Sequence, residues 1–465
     1  MSKVYVWPNV GSNWDFTRAG RWTGLNVPTF KPRPLIMPYL ECEADKDVLQ
    51  ATQGADIKYH PEPGVTAMMT LNPDFRNIEQ QVEGIDFTYT QRFVGDSRPF
   101  FLEGGEPLSN VWWTRQIPEV DLGAKVYGTF GQNNFDVTHV RNFGVRDDNV
   151  LNWYMDFNQG LSEVSALMVN RHEPGVVDNT LVGAGIGPNF KIRGGEGTMG
   201  VGITGYKTRT AGPGRDGSQW YADTHYWPGQ GSIGGSLMYR DTGAQYNPAD
   251  GFFPDANKDV RMLYGELGYW DRVDGHYLRS WDYGGSFSDE KRHDGTLYQR
   301  TRQVYADAQF QDNTGCWVAF NTNHRPPYSD RLWDIWGSWN NDELYRGGNA
   351  GVAAGHLAGG NYLYASLSQG FYLGGDASAH LSVDTSRHTF PAGVETASLI
   401  IATFNQDLSA YKNVSARLVS RGGNHNLYAA YRQALRKGMD LYLILGDPNA
   451  EKSTARVAVK ALWVY

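Results

Sequence analysis

The sequence predicts an all-β protein, a transmembrane antiparallel β-barrel of roughly 16–20 strands. Three observations carry this. Apolar and polar residues alternate with period two from about residue 123 to the final residue. Turn-forming clusters punctuate the alternation at regular intervals. No segment approaches the roughly 18 consecutive apolar residues of a spanning helix, whereas a barrel strand needs only every second residue apolar.

The alternation is legible strand by strand. Val304, Ala306, Ala308 and Phe310 share one face, against Gln303, Tyr305, Asp307 and Gln309. Ile233, Gly235, Leu237 and Tyr239 form another such row. So do Trp153, Met155 and Phe157, and Leu263, Gly265, Leu267 and Tyr269. The last row is Val457, Val459, Ala461, Trp463 and Tyr465. The turn signals are Gly131–Asn134, Asn158–Gly160, Pro228–Gly231, Asp312–Gly315 and Gly446–Asn449, with longer polar loops expected over Thr242–Lys258 and Ser286–Gly295. The final strand ends on an aromatic residue, which makes it a signal for a barrel-assembly machinery.

Composition agrees. Aromatics are 13% of the chain, with 27 Tyr and 15 Trp, and these side chains suit membrane–water interfaces. The 55 Gly suit tight turns and curved strands. A net charge of −8 removes the basic footprint of a nucleic-acid partner. Cys42 and Cys316 make neither a zinc motif nor a disulfide framework. The expected lipid is that of a bacterial outer membrane, and a protein located there must be exported. Met1–Pro8 has no apolar core or cleavage site of a signal peptide, so the expectation is a fragment or a numbering that begins after processing.

Residues 1–110 differ from the barrel expected over 111–465. Pro28, Pro32, Pro34 and Pro38 punctuate the opening, and short strands are expected over Ile36–Leu40, Ala55–Tyr59 and Val65–Leu71. Four ordered motifs follow: Asn72-Pro-Asp-Phe75 with Glu79, Arg98-Pro-Phe-Phe-Leu-Glu-Gly104, Gly123-Ala-Lys125, and Asn247-Pro-Ala-Asp-Gly-Phe252. With these the chain resembles the C-terminal barrel of bacterial outer-membrane proteins of unassigned function that usually carry an N-terminal family-nine-like carbohydrate-binding domain. That domain has no counterpart in this sequence, so its sugar-binding role is not carried over. Gln80-Gln81 and Asp96-Ser97 depart from the pattern of the family.

Asp74, Glu79, Arg92, Asp96, Arg98 and Glu103 stand among Phe75, Phe87, Phe93, Phe100 and Phe101. Bare charge in hydrocarbon costs several kcal/mol, about 2–4 at mid-bilayer, so this stretch is a poor lipid-facing strand. Residues 72–110 are therefore expected to fold into the lumen as a constriction, or to pack as a periplasmic collar. Trp112, Trp113, Trp333, Trp336, Trp339, Trp463 and Tyr465 are read as interfacial aromatics.

Other chemistry is thin. Asp255, Asn257 and Asp259 have the spacing of the first calcium-loop ligands but lack the central Gly and distal Glu, so loop solvation is the reading and no metal is expected. Gly194–Gly202 lacks the Lys-Ser/Thr of a phosphate loop and is read as strand curvature. The 11 His are scattered, and no Gly-x-Ser-x-Gly elbow occurs. No cofactor and no enzymatic activity are expected. The leading function is a passive channel or export/uptake pore for polar solutes. The alternatives are a sealed surface barrel whose loops bind glycans or proteins, and a soluble β-rich carbohydrate-active protein.

Overall fold

The computed structural model describes residues 32–46, 48–105, 110–192, 194, 197–211, 216–273, 275–341, 343, 345–435 and 438–465. Pro28 and the opening residues 1–31 lie outside them.

Every wall position finds both neighbours, and the sheet closes on itself. In chain order the strands are β1 (Leu35–Asp45), β2 (Val48–Glu62), β3 (Val65–Leu71), β4 (Leu122–Phe130), β5 (Asn133–Asn142), β6 (Arg146–Phe157), β7 (Ser162–Glu173), β8 (Val177–Gly187), β9 (Asn189–Ile192), β10 (Gly197–Thr210), β11 (Asp216–Trp227), β12 (Ser232–Thr242), β13 (Val260–Arg272), β14 (Leu278–Arg292), β15 (Leu297–Phe310), β16 (Gly315–Arg325), β17 (Tyr328–Trp339), β18 (Gly348–Leu357), β19 (Gly360–Gly374), β20 (Ala377–Phe390), β21 (Gly393–Ser409), β22 (Lys412–Arg421), β23 (Asn424–Leu435), β24 (Met439–Leu445) and β25 (Val457–Trp463). β8 and β9 both pair with β10 and share one wall position, interrupted at Pro188, so the barrel has 24 antiparallel strands. The seam pairs β1 with β25 from Tyr39↔Leu462 to Ala44↔Val457. Ile36 and Tyr465 extend it by exchanging two backbone hydrogen bonds of 3.0 and 3.2 Å.

The strand number exceeds the 16–20 expected, because several neighbours are joined by only two residues. The breaks at 358–359, 391–392 and 422–423 are such turns, and two small residues inside an alternating run interrupt its pattern too briefly to mark a strand end. The loop expected over Ser286–Gly295 is likewise mostly strand, since β14 runs on to Arg292.

Side chains obey the period of two. Leu267 is 65% exposed, Val304 59% and Ile335 54%, and all five apolar rows read from the sequence fall on this outward face. The opposite face carries Glu266, Gln303, Asn321 and Asp334, which are direct or successive cross-strand neighbours. An even strand count puts both ends of the sheet at one rim, hereafter the terminal rim. The chain's long excursions, 72–121, 243–259 and 446–456, all leave from the other, the loop rim.

Candidate functional site

The excursion between β3 and β4 lies on the lumenal face and is anchored around the wall. At the seam, Lys460 Nζ is 2.7 Å from Asp74 Oδ2, and Arg456 donates 2.8 Å to Asn77 Oδ1. On β22, Arg417 pairs with Glu79 at 3.3 Å and donates 3.2 Å to the Gln80 carbonyl. On β19, the Tyr362 hydroxyl accepts from the Phe87 amide at 2.9 Å. On β17, Asp330 accepts from the Tyr89 hydroxyl at 2.6 Å. On β6, Arg146 donates 3.2 Å to the Gln116 carbonyl. From the seam to β17 the segment's tethers thus follow the wall in order, and its far end reaches β6.

The middle of the segment is built on a buried arginine. Pro99 opens a single helical turn, Pro99–Leu102 (α1), where its fixed φ and missing N–H cost nothing. Arg98, 5% exposed, donates 2.6 Å bonds to the carbonyls of Thr114 and Ile117 and pairs with Asp96 at 2.6 Å. Its guanidinium lies 4.4 Å from the Phe101 ring centroid and 5.0 Å from that of Phe75. Burial works to raise the Asp96 carboxyl, but the bonds from Arg98 and from Thr114 outweigh it and hold the group below the usual range. Glu103 pairs with Lys58 and accepts 3.0 Å from the Tyr127 hydroxyl. Gly104 follows at φ +88°, where a Cβ would stand 2.5 Å from the Tyr127 ring, so no other residue fits without moving that ring.

Around this turn is an apolar core inside the lumen. Phe100, Phe101, Trp112, Ile117 and Val120 pack on the inward faces of β5 to β8 through Val140, Val150, Leu167, Val169 and Leu181. The wall is apolar here because it faces packed protein. The chain from 243 to 259 joins the same core through Tyr246, which is fully buried. Its Asp250 bonds Arg146 at 2.7 Å, and Phe252 stacks on Trp113 at 5.1 Å and on Phe93 at 5.4 Å. The four sequence motifs thus meet in one assembly. Phe75 packs on Phe101, Gly123 on Phe100, Lys125 bonds the Glu103 carbonyl, and Asp250 accepts the Trp113 amide.

The six charged residues singled out in the sequence all belong to this segment. Asp74, Glu79, Asp96, Arg98 and Glu103 join the contacts above, while Arg92 pairs locally with Asp86 at 2.8 Å. The lumenal chain runs past residue 110 to 121, because Val111 to Val120 pack into the same core. Sequence reasoning missed the wall partners Arg417, Arg456 and Lys460. Their inward positions in alternating strands were the available signal.

Three aromatic expectations are corrected. Trp112 is 3% exposed and packs on Phe101, and Trp113 donates 2.8 Å to the Val94 carbonyl, so both lie in the lumenal assembly. Trp336 is three residues from outward Trp333 and so points inward. Trp333 packs on Phe320 at 4.8 Å. Trp339, Trp463 and Tyr465 share the outward parity at the terminal rim. Of the calcium-like spacing, Asp259 Oδ1 is 2.6 Å from His293 Nδ1 and the Asp255 side chain lies outside the described residues, among which no cluster of metal-ligating groups occurs. The loop expected over Thr242–Lys258 is found at 243–259, and it folds inward rather than away from the barrel.

Among solved structures, the siderophore receptor PirA from Pseudomonas aeruginosa is similar over 93% of this chain and 80% of its own, with a TM-score of 0.50 and 6% identity. The chain has the fold of an outer-membrane barrel. The FrpB iron transporter from Neisseria meningitidis is similar over 93% of this chain and 81% of its own (TM-score 0.44, 10% identity). For the P pilus usher PapC translocation pore these figures are 93%, 99%, 0.35 and 12%. No protein-family model and no curated protein matches the chain.

Proposed function

We propose that this barrel is a gated passage for polar solutes across a Gram-negative outer membrane, with residues 72–121 as its constriction. The observation that carries the reading is the anchoring of that segment to β1, where Asn77 donates 2.6 Å to Glu41, and to β6, β17, β19, β22 and β25. These contacts are mostly hydrogen bonds and ion pairs at the segment's edges. Its apolar core leans on one side only, β5 to β8. A segment packed on one wall and tethered chiefly by polar bonds to the others can leave them bond by bond, each contributing about 0.5–1.5 kcal/mol net, or about 1.5–3 kcal/mol where a charged group takes part.

Outer-membrane lipid is the proposed surround. Apolar outward rows support this, as does an outward aromatic group at the terminal rim in which Tyr269, Trp281 and Tyr283 stack at 5.3–5.4 Å. The terminal rim is proposed to face the periplasm, with the Val457–Tyr465 end read by the assembly machinery. The long excursions then belong to the extracellular rim.

Planar-bilayer conductance tests the passage. Replacing residues 84–92 by a Gly–Ser linker should raise single-channel conductance severalfold over the intact chain. Equal conductance would sink the constriction. No conductance from either folded protein would favour the sealed, surface-binding barrel, which the number of tethers also supports. Monodisperse behaviour without detergent would favour the soluble reading.

A further inference from the structure

A cavity of about 470 Å³ lies where the strap 84–92 meets the wall of β16 to β19, well within the size range of small-molecule sites. Phe87, Tyr89, Trp336, Tyr362 and Tyr364 give it an aromatic lining. Its charged groups are Asp86, Asp330 and Asp334, and no basic side chain lines it. Arg92 pairs with Asp86, and Arg325 stacks on the far side of Tyr89 with its guanidinium 4.9 Å from the ring centroid.

Four lining donors are turned to carboxylates: Tyr89 to Asp330 at 2.6 Å, Tyr364 to Asp384 at 3.1 Å, the Asn323 amide to Asp330 at 3.0 Å, and the Asn321 amide to Asp334. Acceptors remain. Asn323 Oδ1 is buried with no donor among the described residues, and Asp334 has no ion-pair partner among them. A lining of five aromatic rings and three carboxylates with no basic side chain suits a ligand that brings positive charge, N–H donors and apolar bulk. A neutral sugar would leave the Asp334 charge uncompensated and suits it less.

We propose that this cavity binds a small organic cation, an amine or guanidinium on an apolar body, as the solute class of the lumen. This rests on the passage reading. The strap supplies one wall, through Phe87 and Tyr89, so an occupant touches the constriction and the barrel at once.

The test is calorimetric titration of the full chain in detergent with phenethylamine at neutral pH, where it is cationic. Neutral 2-phenylethanol, anionic benzenesulfonate and maltose are the comparisons. Phenethylamine should bind saturably and about tenfold more tightly than 2-phenylethanol, with no binding of the sulfonate. Asp334→Asn and Trp336→Ala should each weaken it about tenfold, while the outward Asp289→Asn leaves it unchanged. Resistance of the folded barrel to unheated SDS checks each variant, and Tyr364→Phe serves if Asp334→Asn does not fold. Equal binding of amine and alcohol, preference for maltose, or unaltered binding by the folded variants overturns the assignment. Conductance of the strap replacement reads the passage separately. A conducting barrel that binds no amine refutes the site and leaves the passage standing. A non-conducting barrel that binds it does the reverse.

Discussion

Lys460, three residues from the end of the last strand, donates a 2.7 Å hydrogen bond to Asp74, 386 residues earlier and just past the end of β3. The bond ties the lumenal segment to the seam where the barrel closes. Both side chains are largely shielded from solvent.

The Asp74 carboxyl should make this tether acid-labile. Burial works to raise it, but Lys460 and the Asn77 amide outweigh burial and hold it below the usual range. A depressed carboxyl stabilises the folded state above its unfolded value, about 4, and loses that contribution as pH falls through its folded value. Protease protection of residues 72–80 should therefore be constant from pH 8 to 5 and fall at more acid pH. Asp74→Asn should remove that acid dependence. A double-mutant cycle with Lys460→Met should show a coupling of about 0.5–3 kcal/mol.

Arg456 should be the most costly single residue at the seam. Its guanidinium is fully buried and donates 2.6 Å bonds to Glu41 and to Glu43. Arg456→Met leaves two buried carboxylates facing each other, and removing one partner of a buried pair costs about 3–5 kcal/mol. The temperature at which the barrel loses SDS resistance should drop clearly. Adding Glu41→Gln and Glu43→Gln should restore much of it, because the unpaired charge is the penalty.

The inward loop at Asp250 should loosen as pH rises. Burial pushes its carboxyl up to about 7, and the neighbouring Asp148 adds to the rise. A raised carboxyl holds a proton in the folded state that the unfolded chain has released, so stability falls between about pH 4 and 7 and is flat above. Hydrogen exchange over residues 243–259, corrected for intrinsic rate, should show stronger protection at pH 5 than at pH 8. Asp250→Asn should make the two equal.

Trp333 and Trp336 should see different solvents. The first points outward and the second into the lumen. In vesicles containing brominated lipid, Trp333→Phe should reduce the quenchable fluorescence, and Trp336→Phe should leave it unchanged. Equal loss would mean the faces are misassigned. Trp333→Arg should destabilise the barrel by about 2–4 kcal/mol if this position lies near mid-bilayer.

The sequence by itself determined the fold class and the two faces of the strands it marked, though not their number. A period of two is a local property, so Leu263, Leu267, Val457 and Val459 announce an outward row without knowledge of any partner. The same logic separates Trp333 from Trp336, three residues apart, although grouping them by residue type hid it. It also marked residues 72–104 as a poor lipid-facing stretch, because charge and aromatic bulk are mixed there without period. Which residues hold that segment was decided only by closure of the sheet. Asp74 meets Lys460, Glu79 meets Arg417 and Asn77 meets Arg456 because β25 returns to β1, and cross-strand pairing carries no sequence mark of distance. The inward turn of Trp112 and of loop 243–259 was likewise tertiary. An aromatic residue lowers its free energy equally well at a membrane interface or in a packed core, and only the apolar wall of β5 to β8 settles which one it joins.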